Sequence, residues 1–328
     1  MKAIVWDKYG KAKHLKYKEI DKPNLKSDEI LIKVHATTVT AGDCEIRGLK
    51  FSPLLNTMMR LFFGPLKPRN IVLGQEYAGE VVEIGSDVNT FKVGDEVYGA
   101  TDLSFGAYAE YMTAKEKGAV SLKPKNMSFE EAAGVPVGGI EALHFLNLAN
   151  LKEGEHLLIN GAGGSIGTAA LQMAKSRGAQ VTVVDSEDKL DMLSFIGADH
   201  LINYRTEDYR KNKDTYDVVF DVVGGSSFYK SIGALKEKGR FIMANPKGLD
   251  KLKGRLTNMK GQKHIIMQTS DRYKKDLECL TSLIESGKMI TVIDTYFALN
   301  KMAEAHEYVE SGKKKGNLII TIEESLLH

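Results

Sequence analysis

Asn160-Gly161-Ala162-Gly163-Gly164-Ser165-Ile166-Gly167 stands between the apolar run Leu157-Leu158-Ile159 and a stretch in which Ile166, Ala169, Ala170, Met173 and Ala174 recur at helical spacing. Glycines in such a place permit a tight turn, let backbone N–H groups approach a pyrophosphate, and let helix and strand pack closely. The helix dipole favours the anion by up to roughly 2 kcal/mol. The segment therefore reads as a dinucleotide cradle formed by Gly161, Gly163, Gly164, Ser165, Ile166 and Gly167. A literal G-x-G-x-x-G from Gly161 and Gly163 would need glycine at Ile166, so the spacing that fits is Gly161, Gly164, Gly167. The competing reading, an ordinary sheet-to-helix turn, is disfavoured by the strand-loop-helix context.

Asp185 ends the next apolar run, 18 residues after Gly167. An acidic side chain there accepts hydrogen bonds from the adenosine ribose and favours NAD by repelling a 2′-phosphate. Ser186, Lys189 and Tyr204 argue the other way, since Lys189 offers a charge and Tyr204 a hydroxyl to that phosphate. On this reading NADP(H) is slightly favoured and NAD(H) stays open.

These groups need a parallel sheet to hold them. From about residue 125 the apolar runs at 157–159, 181–184, 201–202 and 218–223 alternate with helical stretches, the pattern of a parallel sheet with helical crossovers. Further strands are expected at 241–244 and 265–267, around a Lys- and Gly-rich stretch at 247–263, with a helix near 272–286. Before residue 120 the runs at 3–6, 30–34, 80–84 and 95–98 are short, β-branched or aromatic, and separated by turn signals, so the first domain reads as mainly β and barrel-like. The alternating tail 317–322 is expected to return to it as a strand. The resulting division is a first domain of 1–122 and 288–328, and a cofactor domain of 123–287.

With 45 Lys and Arg against 43 Asp and Glu, the net charge of +2 offers no electrostatic footprint for nucleic acid or an anionic membrane, and neither is expected as a partner. Cys44 and Cys279 are too few for a disulfide framework or a four-cysteine zinc cluster, and two free thiols suit a reducing cytoplasm. The amino-terminal MKAIVWDKYG lacks a signal-peptide pattern. The apolar stretch 54–63 is too short to span a bilayer and is interrupted by Arg60, so it is read as a packed helix or a loop over a pocket. Met58, Met59, Phe62 and Phe63 would there cap an apolar pocket or join the core. Eight scattered histidines, His35, His144 and His306 among them, form no ligand spacing.

In order and spacing, Val39-Thr40-Ala41-Gly42-Asp43 through Arg47, Gly74-Gln75-Glu76-Tyr77-Ala78-Gly79-Glu80-Val81, Val93-Gly94-Asp95-Glu96-Val97-Tyr98-Gly99, the glycine loop, Gly197-Ala198-Asp199, Phe220-Asp221-Val222-Val223-Gly224 and Ala305-His306 through Lys315-Gly316-Asn317 resemble the medium-chain dehydrogenase/reductase superfamily, and within it the zinc-free quinone oxidoreductase-like branch. The resemblance implies an α/β fold: a GroES-like β-rich catalytic domain plus a Rossmann-type doubly wound parallel-sheet domain. It also implies a homodimer. Where zinc-dependent relatives carry catalytic metal ligands, motif matching finds Thr40, Gln75 and Val137, none of them a competent zinc ligand.

The activity implied is zinc-independent, NAD(P)H-dependent reduction of a small quinone or α,β-unsaturated carbonyl by hydride transfer. The alternatives are a non-catalytic NAD(P)H-binding regulatory protein and, least compatible with these residues, a zinc alcohol dehydrogenase. The same matching makes Thr40 and Asp43 the catalytic candidates, with the Thr40 hydroxyl toward cofactor or substrate oxygen or, equally, satisfied within its own turn. Asp43 and Arg47, four apart, are read as a local ion pair. Gly138 and Gly139, Asn245, and Lys315-Gly316-Asn317 are matched to the cofactor's surroundings, while Gln75, Glu76 and Tyr77 are read as lining or supporting the cleft, with structural support preferred.

Overall fold

Leu157 to Ile159 and Val218 to Phe220 are fully buried because they form the two central strands of a sheet covered on both faces. Strands of that kind read as unbroken apolar runs rather than as alternating ones. In the computed structural model, which describes residues 1–69, 72–101, 104–224, 226–246, 248–268 and 274–322, this sheet has six strands and every pairing is parallel. Its order is His200–Asn203, Gln180–Asp185, His156–Asn160, Tyr216–Asp221, Leu235–Met243, His264–Ile266. Numbered within the sheet, that is 3-2-1-4-5-6, the doubly wound arrangement whose strand order reverses between the first and fourth strands. The reversal falls at the register pair Asn160 and Asp221, the residues on which both central strands end. The glycine loop leaves the sheet at that point.

By contacts the chain forms two compact units. The sheet just described belongs to the unit Gly138–Asp271 with Ser286–Met289, and the other unit is Met1–Val137, Arg272–Glu285 and Ile290–His328. This division differs from the boundaries read in the sequence, because helix Lys274–Glu285 groups with the first unit. The buried Tyr98 hydroxyl donates to the Leu277 carbonyl at 2.7 Å, and Asn126 Nδ2 donates to that of Ile284 at 3.0 Å. These bonds cross about 180 and 160 residues of sequence, and no local pattern announces them.

The first unit is built on strand Glu29–Thr38. One of its edges pairs antiparallel with Glu76–Ile84. The other edge is shared, Glu29 to Lys33 pairing with Tyr111–Lys115 and Ala36 to Thr38 with Asn317–Thr321. The tail strand therefore does return to the β-rich unit. Trp6, Ile30, Ile32, Tyr77, Tyr108, Leu318 and Ile320 meet in its core.

Helix Pro53–Phe63, capped by the Ser52 hydroxyl, covers the apolar stretch in question. Only Phe63 is fully buried, against Trp6 and Phe105. That burial anchors the helix by about 1.5–3 kcal/mol. Met59 is half-buried beside it, whereas Met58 and Phe62 are exposed. The stretch is thus a helix packed on the core along one edge only. Among the described residues no helix is long and apolar enough to cross a membrane.

Candidate functional site

Each glycine of the loop answers a distinct spatial demand. Gly161 has φ +85°, and a Cβ on it would sit 2.3 Å from Val223 Cγ2. A Cβ on Gly163 would meet Lys189 Cδ at 2.5 Å and Asp185 Oδ2 at 2.9 Å. One on Gly167 would strike Ala162 Cα at 2.5 Å, so helix Ser165–Ser176 lies directly against the loop. Gly164 is different, since a Cβ there would meet nothing within 4 Å. It is the N-cap of the helix and, being glycine, brings no side chain of its own to cap that terminus. An open N-terminus bordered by glycines fits the pyrophosphate of a dinucleotide.

Ser165 opens the helix, half-buried Ile166 follows, and a Cβ on Gly138 would lie 2.9 Å from the Ser165 carbonyl carbon. The helix is buried along Gly167 to Ala174, more broadly than the single stripe expected from spacing.

Asp185 is turned into the loop. Its Oδ2 accepts the Gly163 N–H at 2.7 Å, its Oδ1 accepts the Ser186 N–H at 2.8 Å, and Lys189 Nζ lies 3.7 Å from Oδ1. Asp185, Ser186 and Lys189 are all buried. The Tyr204 N–H donates to the Asp185 carbonyl at 3.1 Å, leaving the phenol ring exposed with the Arg205 guanidinium 5.6 Å from its centroid. Arg205 was not singled out in the sequence, although its place next to Tyr204 was a usable signal. Asn245, at the carboxyl end of strand Leu235–Met243, donates from Nδ2 to the Val222 carbonyl at 2.7 Å. The second unit thus gathers Gly138, the glycine loop, Asp185, Ser186, Lys189, Tyr204 and Asn245 along the carboxyl ends of its parallel strands.

The remaining candidates belong to the first unit. Thr40 is the N-cap of helix Ala41–Gly48 in a full capping box with Asp43. Its hydroxyl donates to Asp43 Oδ2 at 2.7 Å and accepts from the Asp43 N–H at 3.0 Å and from Gln75 Nε2 at 3.2 Å. Burial pushes the Asp43 carboxyl above its ordinary pKa, against the opposing pull of Thr40, Gln75 and Tyr108. Glu76, also buried, accepts the Thr38 hydroxyl and, at 2.6 Å, the Val137 N–H. Lys315-Gly316-Asn317 is held against Val292, whose carbonyl accepts from the Asn317 N–H at 2.9 Å and from its Nδ2 at 3.2 Å. A Cβ on Gly316, at φ +63°, would meet that carbonyl at 2.4 Å.

Arg47 corrects one expectation, because it does not pair with Asp43. The Asp43 carboxylate bends back to cap its own helix, and the buried guanidinium reaches instead to Glu310 at 2.6 Å, to the Gly10 carbonyl, and through Nε to His306 Nδ1 at 3.3 Å. His306 is fully buried, and its pKa is lowered to about 3, first by burial and then by the Arg47 charge. Cys44 Sγ lies 3.3 Å from the same Nδ1, and burial raises that thiol to about 12. Partners some 260 residues apart left no trace in the local sequence.

Thr40, Gln75 and Val137 do not make a zinc site. Two are neutral side chains bonded to each other, and the third is aliphatic. No group of three or more His, Cys, Asp or Glu able to hold a metal occurs among the described residues.

A family model described as an alcohol dehydrogenase GroES-like domain matches residues 26–124, and one described as a zinc-binding dehydrogenase matches residues 196–320. The chain is 34% identical over 332 residues to the 2-methylene-furan-3-one reductase of Solanum lycopersicum, covering 98% of this chain and 79% of that one. It is 33% identical, with the same coverage, to the chloroplastic NADPH-dependent alkenal/one oxidoreductase of Arabidopsis thaliana. Among solved structures, the quinone oxidoreductase of Coxiella burnetii superposes with a TM-score of 0.87 at 31% identity, covering 98% of this chain and 99% of its own. The chain belongs to the medium-chain dehydrogenase/reductase superfamily and, within it, to the quinone oxidoreductase-like branch.

Proposed function

We propose that the protein is a zinc-independent, NAD(P)H-dependent reductase of quinones or α,β-unsaturated carbonyls. The observation that carries this reading is the open Gly164 helix terminus at the switch point of a 3-2-1-4-5-6 sheet. The relatives named for alkenal, furanone and quinone reduction support the substrate class. When bound, the nicotinamide supplies a hydride.

In this reading the loop N–H groups hold the pyrophosphate, and Lys189, Tyr204 and the adjoining Arg205 favour NADP(H). Asp185 opposes a 2′-phosphate less than a free carboxylate would, because two backbone N–H groups and Lys189 already engage it. Asn245 and Lys315-Gly316-Asn317 are assigned to the nicotinamide end.

Thr40 and Asp43 are assigned to the substrate oxygen. The Thr40 proton points at Asp43 Oδ2 while that carboxyl is ionised. Protonation of Asp43, which burial favours, weakens the acceptor that holds the Thr40 proton and lets that O–H donate instead to oxygen as negative charge builds there. A cytoplasmic homodimer completes the reading.

The test is to mix the protein with NADPH and either an enone or a benzoquinone and to follow the absorbance of the reduced nicotinamide. Acceptor-dependent oxidation is expected. NADPH binding without turnover on any acceptor would leave only the regulatory reading.

A further inference from the structure

Asp221 ends the strand Tyr216–Asp221 and is fully buried. Its Oδ1 accepts from Asn160 Nδ2 at 2.9 Å and from the Gly224 N–H at 3.3 Å. No hydrogen bond reaches Oδ2, and among the described residues it is the one buried carboxylate oxygen left in that condition. Arg210 does not neutralise it. That guanidinium is bound to Asp208 at 2.6 Å, and its pKa is raised first by Asp208 and only in small part by Asp221. A buried carboxylate without a paired cation costs stability, and a positive charge brought near it recovers part of that cost.

The place of Asp221 in the sheet says which charge that is. A doubly wound sheet has two mononucleotide-binding halves, here the strands His156–Asn160, Gln180–Asp185 and His200–Asn203 against Tyr216–Asp221, Leu235–Met243 and His264–Ile266. Asp185, in the first half, is assigned to the adenosine ribose, so the second half takes the nicotinamide. Asp221 is the residue on which the first strand of that half ends, and Asn245 lies at the carboxyl end of the next. The turn after Asp221 lies against the glycine loop, since a Cβ on Gly161 would sit 2.3 Å from Val223 Cγ2.

Hydride transfer moves two electrons and one proton to the acceptor and leaves the nicotinamide ring with one positive charge where there was none. NADPH and NADP+ carry the same phosphates, so a group that tells them apart responds to that ring. We propose that Asp221 is a buried counter-charge that discriminates the oxidation state of the coenzyme, favouring the oxidised form and thereby making the bound reduced form a stronger hydride donor. Contact is not required, because attraction between charges falls only as the inverse of distance inside the protein. Asn160 and Gly224 act as positioning residues that hold the carboxylate. The inference rests on the cofactor reading above.

The experiment is fluorescence titration of the full-length protein with NADPH, and competition against it by NADP+, for wild type, Asp221→Asn and Asp221→Ser. Asparagine keeps the acceptor that serves Asn160 and Gly224 and changes the oxygen that has no partner, so it removes the charge alone. Serine removes the charge with a different shape. In both variants the ratio of the Kd for NADP+ to that for NADPH should rise about 5- to 20-fold, chiefly through weaker NADP+. For a two-electron couple that raises the potential of the bound coenzyme by about 20–40 mV. Partial unfolding of a variant lowers both affinities alike and leaves the ratio as it was. An unchanged ratio in both variants overturns the proposal: affinities that fall together make Asp221 a structural peg of the turn, and affinities that rise together make it a repeller of the pyrophosphate. Wild-type protein that binds neither coenzyme overturns the cofactor reading and this inference with it. The ratio is read without turnover, so its failure is distinct from a failure of the proposed reaction.

Discussion

Gly163 and Asp185 are joined by a hydrogen bond of 2.7 Å from the loop N–H to the carboxylate, so the acidic residue that ends the second parallel strand serves as part of the glycine loop. The carboxylate buttresses the turn that presents Gly164, and Lys189 stands beside both. Side-chain substitutions around this turn therefore separate binding from folding in a predictable way.

Gly164→Ala should leave stability nearly unchanged, because its φ of −100° suits alanine and the new Cβ meets no protein atom. It should raise the Kd for NADPH at least about tenfold by intruding where the anion approaches. Gly167→Ala should instead destabilise the fold by about 1–3 kcal/mol through overpacking against Ala162. Thermal melts paired with fluorescence titrations of NADPH distinguish the two effects.

Lys189→Gln should weaken NADPH about tenfold and NADH far less, as loss of one charge-assisted bond to the 2′-phosphate requires. Asp185→Asn should shift preference further toward NADPH by removing the opposing charge. Equal weakening of both coenzymes by Lys189→Gln would reduce Lys189 to a structural partner of Asp185.

Thr40→Val should lower kcat/KM with an enone about 10- to 100-fold and leave the Kd for NADPH within about twofold, whereas Thr40→Ser should retain most of the rate. Loss of the helix cap adds about 1 kcal/mol of destabilisation, which melts will register separately. A coenzyme affinity that falls in step with the rate would remove Thr40 from the substrate oxygen.

His306 makes the fold acid-sensitive. Its pKa falls from 6.5 to about 3 on burial, so the unfolded chain binds a proton that the folded one excludes. The stabilising contribution is complete above pH 6.5 and is lost as pH falls toward 3. Asp43, shifted upward, has the opposite sign: it favours the fold at low pH and loses that contribution as pH rises above its ordinary value of 3.8. The comparison that isolates His306 is the Tm of wild type against His306→Gln from neutral pH downward. The variant should show the flatter profile, and parallel profiles would place the acid sensitivity elsewhere.

The two cysteines should differ sharply toward thiol reagents. Cys279 is exposed, whereas Cys44 is buried with its thiol raised to about 12. One equivalent should react rapidly in the native protein and the second only on unfolding. Rapid reaction of both would contradict the packing of Cys44 against His306.

The parallel sheet, the glycine loop and the returning tail strand were legible because each rests on local pattern: apolar runs, glycine between strand and helix, alternation at 317–322. The strand order was not, since only tertiary pairing sets Asn160 beside Asp221. Asp185 was visible as a strand-ending acid, but its turn toward Gly163 depends on a backbone N–H that sequence cannot orient. The Arg47, His306 and Glu310 cluster escaped for the same reason, and spacing suggested Asp43 as the partner of Arg47 when helix capping had already claimed that carboxylate. On helix Pro53–Phe63 the sequence left open which apolar residues face the core, and Phe63 alone among them is fully buried.

The central claim is hydride transfer at the glycine cradle without a metal. Its most direct test is the NADPH-oxidation assay on protein exhaustively treated with a chelator and checked for metal content by elemental analysis. The account predicts acceptor-dependent oxidation at an undiminished rate, abolished by Gly164→Val. Activity that disappears with chelation and returns on adding zinc, or full activity in Gly164→Val, would contradict it.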